Sequence, residues 1–131
     1  MKNLDLKLKK KILAFCFEDT ADLLSIECII NDFSKDKKKS KENTLRTLQI
    51  LLDEKLLKAG WVFKDGSFKV WKAKSNEIIK EIKEKWDFLD RELLLGDIVW
   101  FEITEKGRKE FEYLNSISEL KEIDPFYFDD K

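Results

Sequence analysis

The side chains of this chain that could do chemistry are carboxylates, lysines and two thiols, because its 131 residues include no histidine. That absence removes the commonest general base near neutral pH, the usual nucleophile triads and the commonest metal ligand together. Asp19 with Asp22, and Asp129 with Asp130, have the residue type for acid–base work, but among 27 acidic residues such spacings arise by chance and are usually solvated. Cys16 and Cys28 sit among apolar neighbours with no C-x-x-C, so they read as reduced core residues rather than as a disulfide or a zinc pair. Every glycine is already used by the backbone, since Gly60 ends a helix, Gly66 makes a turn, Gly96 follows a helix and Gly107 lies in a helix's first turn. None is left to cradle a phosphate. The chain is therefore expected not to be an enzyme, with no catalytic residue, cofactor, metal or small-molecule substrate.

What remains is recognition of another macromolecule, and the charge distribution carries that reading. The formal net charge of -1 hides blocks of opposite sign. Residues 12–33 hold Glu18, Asp19, Asp22, Glu27 and Asp32 with no base, while residues 35–46 hold Lys35, Lys37, Lys38, Lys39, Lys41 and Arg46 against Asp36 and Glu42. The acidic block, with the tail Asp124-Pro-Phe126-Tyr127-Phe128-Asp-Asp, suits a cationic protein such as a nuclease domain. Glu18, Asp19, Asp22, Glu27 and Asp124 would steer, and Phe126, Tyr127 and Phe128 would anchor. A second reading of the tail, as a strap folded back on the core, stays open. DNA is the alternative partner, met by Lys37, Lys38, Lys39, Lys41, Asn43, Arg46 and Thr47 around the start of the third helix. Against DNA, the helix before it lies in the block without a base.

These residues must be positioned by elements that periodicity and caps mark out. The pattern predicts a first helix over 5–17, a second over 26–33 capped by Ser25, a basic loop over 34–40, and a third helix over 42–59 ended by Gly60. Asp65-Gly66 between aromatic and β-branched residues predicts a hairpin or tight turn. A fourth helix is expected from Ser75 or Asn76, with the stripe Ile78/Ile79, Ile82, Trp86 and Leu89 and with Glu81–Lys85 and Asp87–Arg91 pairs. Val99, Phe101 and Ile103 then share one face of a strand, and Thr104 caps a last helix over 105–120. The four tryptophans read as core.

Length and composition bound the whole. At 131 residues, 43% hydrophobic and 40% charged, the chain has the size and core of one soluble domain. We divide it into residues 1–121 and an acidic aromatic tail, 122–131. Its longest apolar runs fall far below the roughly 20 residues that cross a bilayer, so no membrane partner is expected. The N-terminus interleaves lysine with leucine and has no apolar leader region, which predicts the cytoplasm.

Leu56 to Val62 resembles the winged-helix phrase that joins the last helix to the first wing strand, and Ile103 to Arg108 resembles the one that follows the second wing strand. The resemblance spans most of residues 5–115 and implies an α+β, winged-helix-like domain of about five helices and a small antiparallel sheet. Residues 72–96 depart from it by inserting a helix where such proteins have a short wing. Phe68-Lys-Val-Trp71, the Trp86 helix and Leu95-Gly-Asp-Ile-Val-Trp-Phe before Thr104 are also similar to small bacterial immunity proteins of toxin loci. That likeness implies an immunity-type inhibitor of a toxin; the winged-helix likeness implies, as the alternative, a DNA-binding transcription regulator.

Overall fold

The computed structural model describes residues 4–34 and 37–117. The chain is α+β, and its elements run α1 (Leu6–Glu18), β1 (Ala21–Asp22), α2 (Leu23–Ser34), a 3-10 turn (Lys37–Lys39), α3 (Ser40–Asp53), β2 (Leu57–Val62), β3 (Phe68–Val70), α4 (Ser75–Phe88), β4 (Trp100–Ile103) and α5 (Glu105–Asn115). The strands form one antiparallel sheet in the order β1-β4-β2-β3. No helix among the described residues is long and apolar enough to cross a membrane.

Alternation along β4 decides which face of the sheet is covered. Val99, Phe101 and Ile103 are buried, whereas Trp100 and Glu102 are half-exposed. Leu57 and Ala59 of β2, paired with Ile103 and Phe101, turn the same way. Against this face lie Ile12 and Leu13 of α1, Ile26 and Ile30 of α2, and Leu48 and Leu51 of α3, in one continuous core. Each such side chain contributes about 1.5–3 kcal/mol by leaving water. The 3.6-residue spacing within each helix delivers these residues to a single side.

The third helix ends six residues earlier than its apolar pattern predicts, at Asp53 rather than Ala59. Lys55 takes a left-handed conformation (φ 61°). Its N–H then donates to Leu52 O at 3.0 Å and the Leu56 N–H to Leu51 O at 3.0 Å. This pair of bonds closes a helix around a residue usually chosen as glycine. Buried Leu56 and Leu51 supply the apolar contact that accompanies such an ending. Gly60 therefore ends no helix. It lies within β2, where a β-carbon would come 2.2 Å from Lys69 O of the neighbouring strand.

The ending of α3 is fastened to α5. Thr104 caps α5 by accepting from Gly107 N at 2.9 Å, as its position predicts. Its hydroxyl also donates toward Lys55 O at 2.7 Å, and Lys106 Nζ donates to Glu54 O at 2.8 Å. Gly107 is required here, because a β-carbon would lie 2.2 Å from Leu56 O.

Other local expectations meet mixed fates. The Asp65-Gly66 turn does close a hairpin, with Val62 opposite Phe68 and Gly66 at φ 89°. The expected loop over 34–40 contains a 3-10 turn that runs directly into α3 at Ser40. The second helix starts at Leu23, because Asp22 rather than Ser25 accepts from its first turn. The fourth helix carries the predicted Glu81–Lys85 pair at 3.0 Å, but Arg91 lies past its end and binds Asp97 at 2.7 Å instead of Asp87. Trp86 is core, whereas Trp61 is exposed and Trp71 and Trp100 are half-exposed. Cys16 is buried, and Cys28 is exposed rather than core.

Candidate functional site

The acidic block does not form one outward surface. Glu18 and Asp19 end α1 and are exposed. Asp22, by contrast, is 1% exposed. Its carboxylate accepts from Ser25 N at 3.3 Å, from Ser25 Oγ at 2.6 Å and, across the molecule, from Gly96 N at 2.6 Å. This is structural capping of α2's unpaired N–H groups joined to a brace on the β4 approach, so Asp22, expected to steer a partner, does not face one. Glu27 is half-buried and accepts from Ser40 Oγ, tying α2 to the start of α3. Asp124, Phe126, Tyr127 and Phe128 lie outside the described residues, as do Asp129 and Asp130.

The basic set is also divided by the fold. Lys37 begins the 3-10 turn, and Lys38 and Lys39 are exposed without an ion pair among the described residues. Lys41 is engaged by α4: its ammonium lies 2.8 Å from Asp87 and 5.4 Å from the Trp86 ring centroid. Lys41 and Lys83 together hold the Asp87 carboxyl down at about 2. Asn43 accepts from exposed Arg46 at 2.7 Å. Thr47, expected on the surface, is 5% exposed and faces the core beside fully buried Thr44. Further along, Gln49 donates to Ser75 at 3.2 Å, and Ser75 donates to Asp53. One flank of α3 is thus occupied by α4.

A cleft of about 570 Å³ lies between the ends of α3, β2 and α4. Several of its polar groups serve the fold: Asp53 is bound by Ser75, Lys58 by Glu102 at 3.1 Å, and Thr104 bonds to Lys55 O. Among the described residues no group of three His, Cys, Asp or Glu side chains is placed to hold a metal ion. Burial alone pushes the Cys16 thiol up to about 12. The Cys28 thiol is also raised, by partial burial first and then by Glu27 and Asp22.

A different surface stands out in the structure. Phe88 at the end of α4 is 91% exposed, and Leu94 and Leu95 on the connection to β4 are 58% and 74% exposed, while Leu93 before them is buried. Beside them lie two shallow depressions that share Lys85 and Ile98. One, of about 370 Å³, is lined also by Trp61 and Trp71, and the other, of about 400 Å³, by Glu84, Phe88 and Leu89. The sequence holds a signal for this surface. Phe88 falls off the Ile78, Ile82, Trp86 stripe, and three consecutive leucines at 93–95 cannot all face one core. Compared with family models, with curated proteins and with solved structures, the chain matches none, so its surfaces are read on their own geometry.

Proposed function

We propose that this chain is a non-enzymatic, macromolecule-binding protein of the immunity type, acting in the cytoplasm to bind and neutralise a toxin with a cationic surface, such as a nuclease. The observation that carries the reading is the seating of α4 along α3. In a winged-helix regulator the third helix enters the major groove and offers its first turns to base edges. Here Lys41 is held by Asp87, and Thr44 and Thr47 face the core. What remains is Arg46 with the turn lysines, on a chain of net charge -1. Each phosphate contact needs a lysine or arginine free to make it, and this end of α3 keeps few of them. The winged-helix resemblance itself is supported by strand order, because β1, β4 and β2 lie side by side with α2 and α3 between β1 and β2 in sequence.

The second reading, a transcription regulator, is favoured by exposed Lys38, Lys39 and Arg46 at one end of α3. Recovery of the tagged protein from its native host separates the two. A stoichiometric basic protein, encoded beside this chain, is the expected product. Enriched DNA without such a protein would overturn the inhibitor reading. On the regulator reading, Arg46→Ala and Lys38→Ala weaken DNA binding, the lysine change with a salt slope smaller by about one.

A further inference from the structure

We infer that the connection between α4 and β4 is the face that docks the toxin, and that its occupant is a cationic protein surface seated on Phe88, Leu94 and Leu95 between the carboxylates of Glu84, Asp90 and Glu92. This rests on the inhibitor reading and names the surface and partner chemistry which that reading leaves open.

Three large apolar side chains stand in water on a segment that is already ordered. Asp97 accepts from Leu94 N at 2.7 Å and from Arg91 Nη1 and Nη2 at 2.7 and 3.3 Å. Arg91 Nη1 also donates to Glu92 O at 2.9 Å, and the buried Asp22 receives Gly96 N from below. Ile98, where the segment rejoins the sheet, is held at φ 70°, a region that β-branched residues rarely enter. Such strain persists only where surrounding structure over-determines it. A partner arriving here meets a surface whose ordering entropy has already been lost on folding, which is how a small apolar patch becomes a tight anchor.

Charge selects the partner. The two cations that flank Phe88 and Leu94 in sequence are occupied, Lys85 by Glu81 at 3.0 Å and Arg91 by Asp97 at 2.7 Å. Glu84, Asp90 and Glu92 are exposed and make no ion pair among the described residues. A second copy of this chain would set one acidic rim against another across a two-fold axis, and a nucleic acid would be repelled in the same way. A basic protein face is complementary and would be steered to the site.

The test is photo-crosslinking in the native host, with p-benzoylphenylalanine placed in turn at positions 88, 95, 19 and 46. Positions 88 and 95 are expected to yield one adduct with a protein of basic surface. With that protein purified, the Phe88→Ser/Leu95→Ser double variant is expected to bind about 100-fold more weakly or worse, with an unchanged unfolding midpoint. Reversing Glu84, Asp90 and Glu92 to Lys slows association roughly tenfold and flattens its salt dependence. A self-adduct, a nucleic-acid adduct, or a captured protein indifferent to both variants overturns this surface. Adducts from position 19 or 46 alone overturn the surface and leave the inhibitor reading standing. No protein adduct from any position overturns the inhibitor reading, and the surface with it.

Discussion

Two acidic stretches of this protein, 18–27 and 84–97, resemble each other in composition and differ in what the fold does with them. In the first, Asp22 is turned inward onto N–H groups, Glu27 is tied to Ser40, and only Glu18 and Asp19 face outward without a long-range partner among the described residues. In the second, a single carboxylate, Asp97, organises the backbone, while Glu84, Asp90 and Glu92 are displayed together with Phe88, Leu94 and Leu95. The difference follows from what the backbone leaves unsatisfied. A carboxylate beside unpaired N–H groups is recruited by them, and those that remain become surface. The two stretches are also joined, since Asp22 holds Gly96.

The largest effect that separates them is expected at Asp22. Asp22→Ala strands three buried or half-buried donors and should lower unfolding free energy by about 3 kcal/mol, whereas Asp19→Ala should stay within about 0.5 kcal/mol. Urea unfolding of the two variants checks this, and equal effects would erase the distinction drawn above. Asp97→Ala should lose about 1–2 kcal/mol by releasing Arg91 and Leu94 N, with hydrogen exchange rising first over 91–97. If exchange there is unchanged, the connection is not braced as described.

Smaller effects sharpen the contrast on the side of α4. Asp87 is held at about 2 when folded, against 3.8 ordinarily. A lowered value means that its contribution to stability is present above pH 3.8 and is lost as pH falls through about 2. Its carboxyl carbon shift should therefore titrate near pH 2, and Lys83→Ala or Lys41→Ala should move the midpoint upward. A midpoint that stays put in both variants would mean that neither lysine holds it. The smallest perturbation is labelling of thiols by a maleimide at mildly alkaline pH. Cys28 should react in the native protein and Cys16 only on unfolding, because burial keeps the Cys16 thiol protonated. Two thiols labelled together without denaturant would contradict the packing of α1.

Much of the architecture was legible in sequence because its signals are local. The Thr104 cap, the Asp65-Gly66 turn, the alternating β4 and the Ile78, Ile82, Trp86 stripe each depend on neighbours a few residues away. The end of α3 was not legible, since Lys55 occupies a position where a glycine would have announced it and the geometry is secured by Thr104, 49 residues distant. The acidic block expected to meet a partner shows the same limit. The burial of Asp22 depends on β1 pairing with β4 and on Gly96, 74 residues away, so charge counting placed it on the surface. The exposure of Phe88 could have been read from its place off the helical stripe, but only by asking which apolar residues have no core to enter.

The fastening between Leu56 and Thr104 has a consequence for how such a protein diversifies. Thr104 N and Oγ1 both reach Leu56 O, at 3.0 and 3.1 Å, so residues 57–103 leave and return at one point. Within this segment β2 pairs with both β3 and β4, so changes of length fall on the unpaired connections, where doubling a flexible loop adds only about 0.6 kcal/mol of closure entropy. At the far end of this segment Phe88, Leu94 and Leu95 are exposed and can change without disturbing the clasp, whereas Leu93 is buried and Arg91 is bound to Asp97, so these two keep the constraints of the fold.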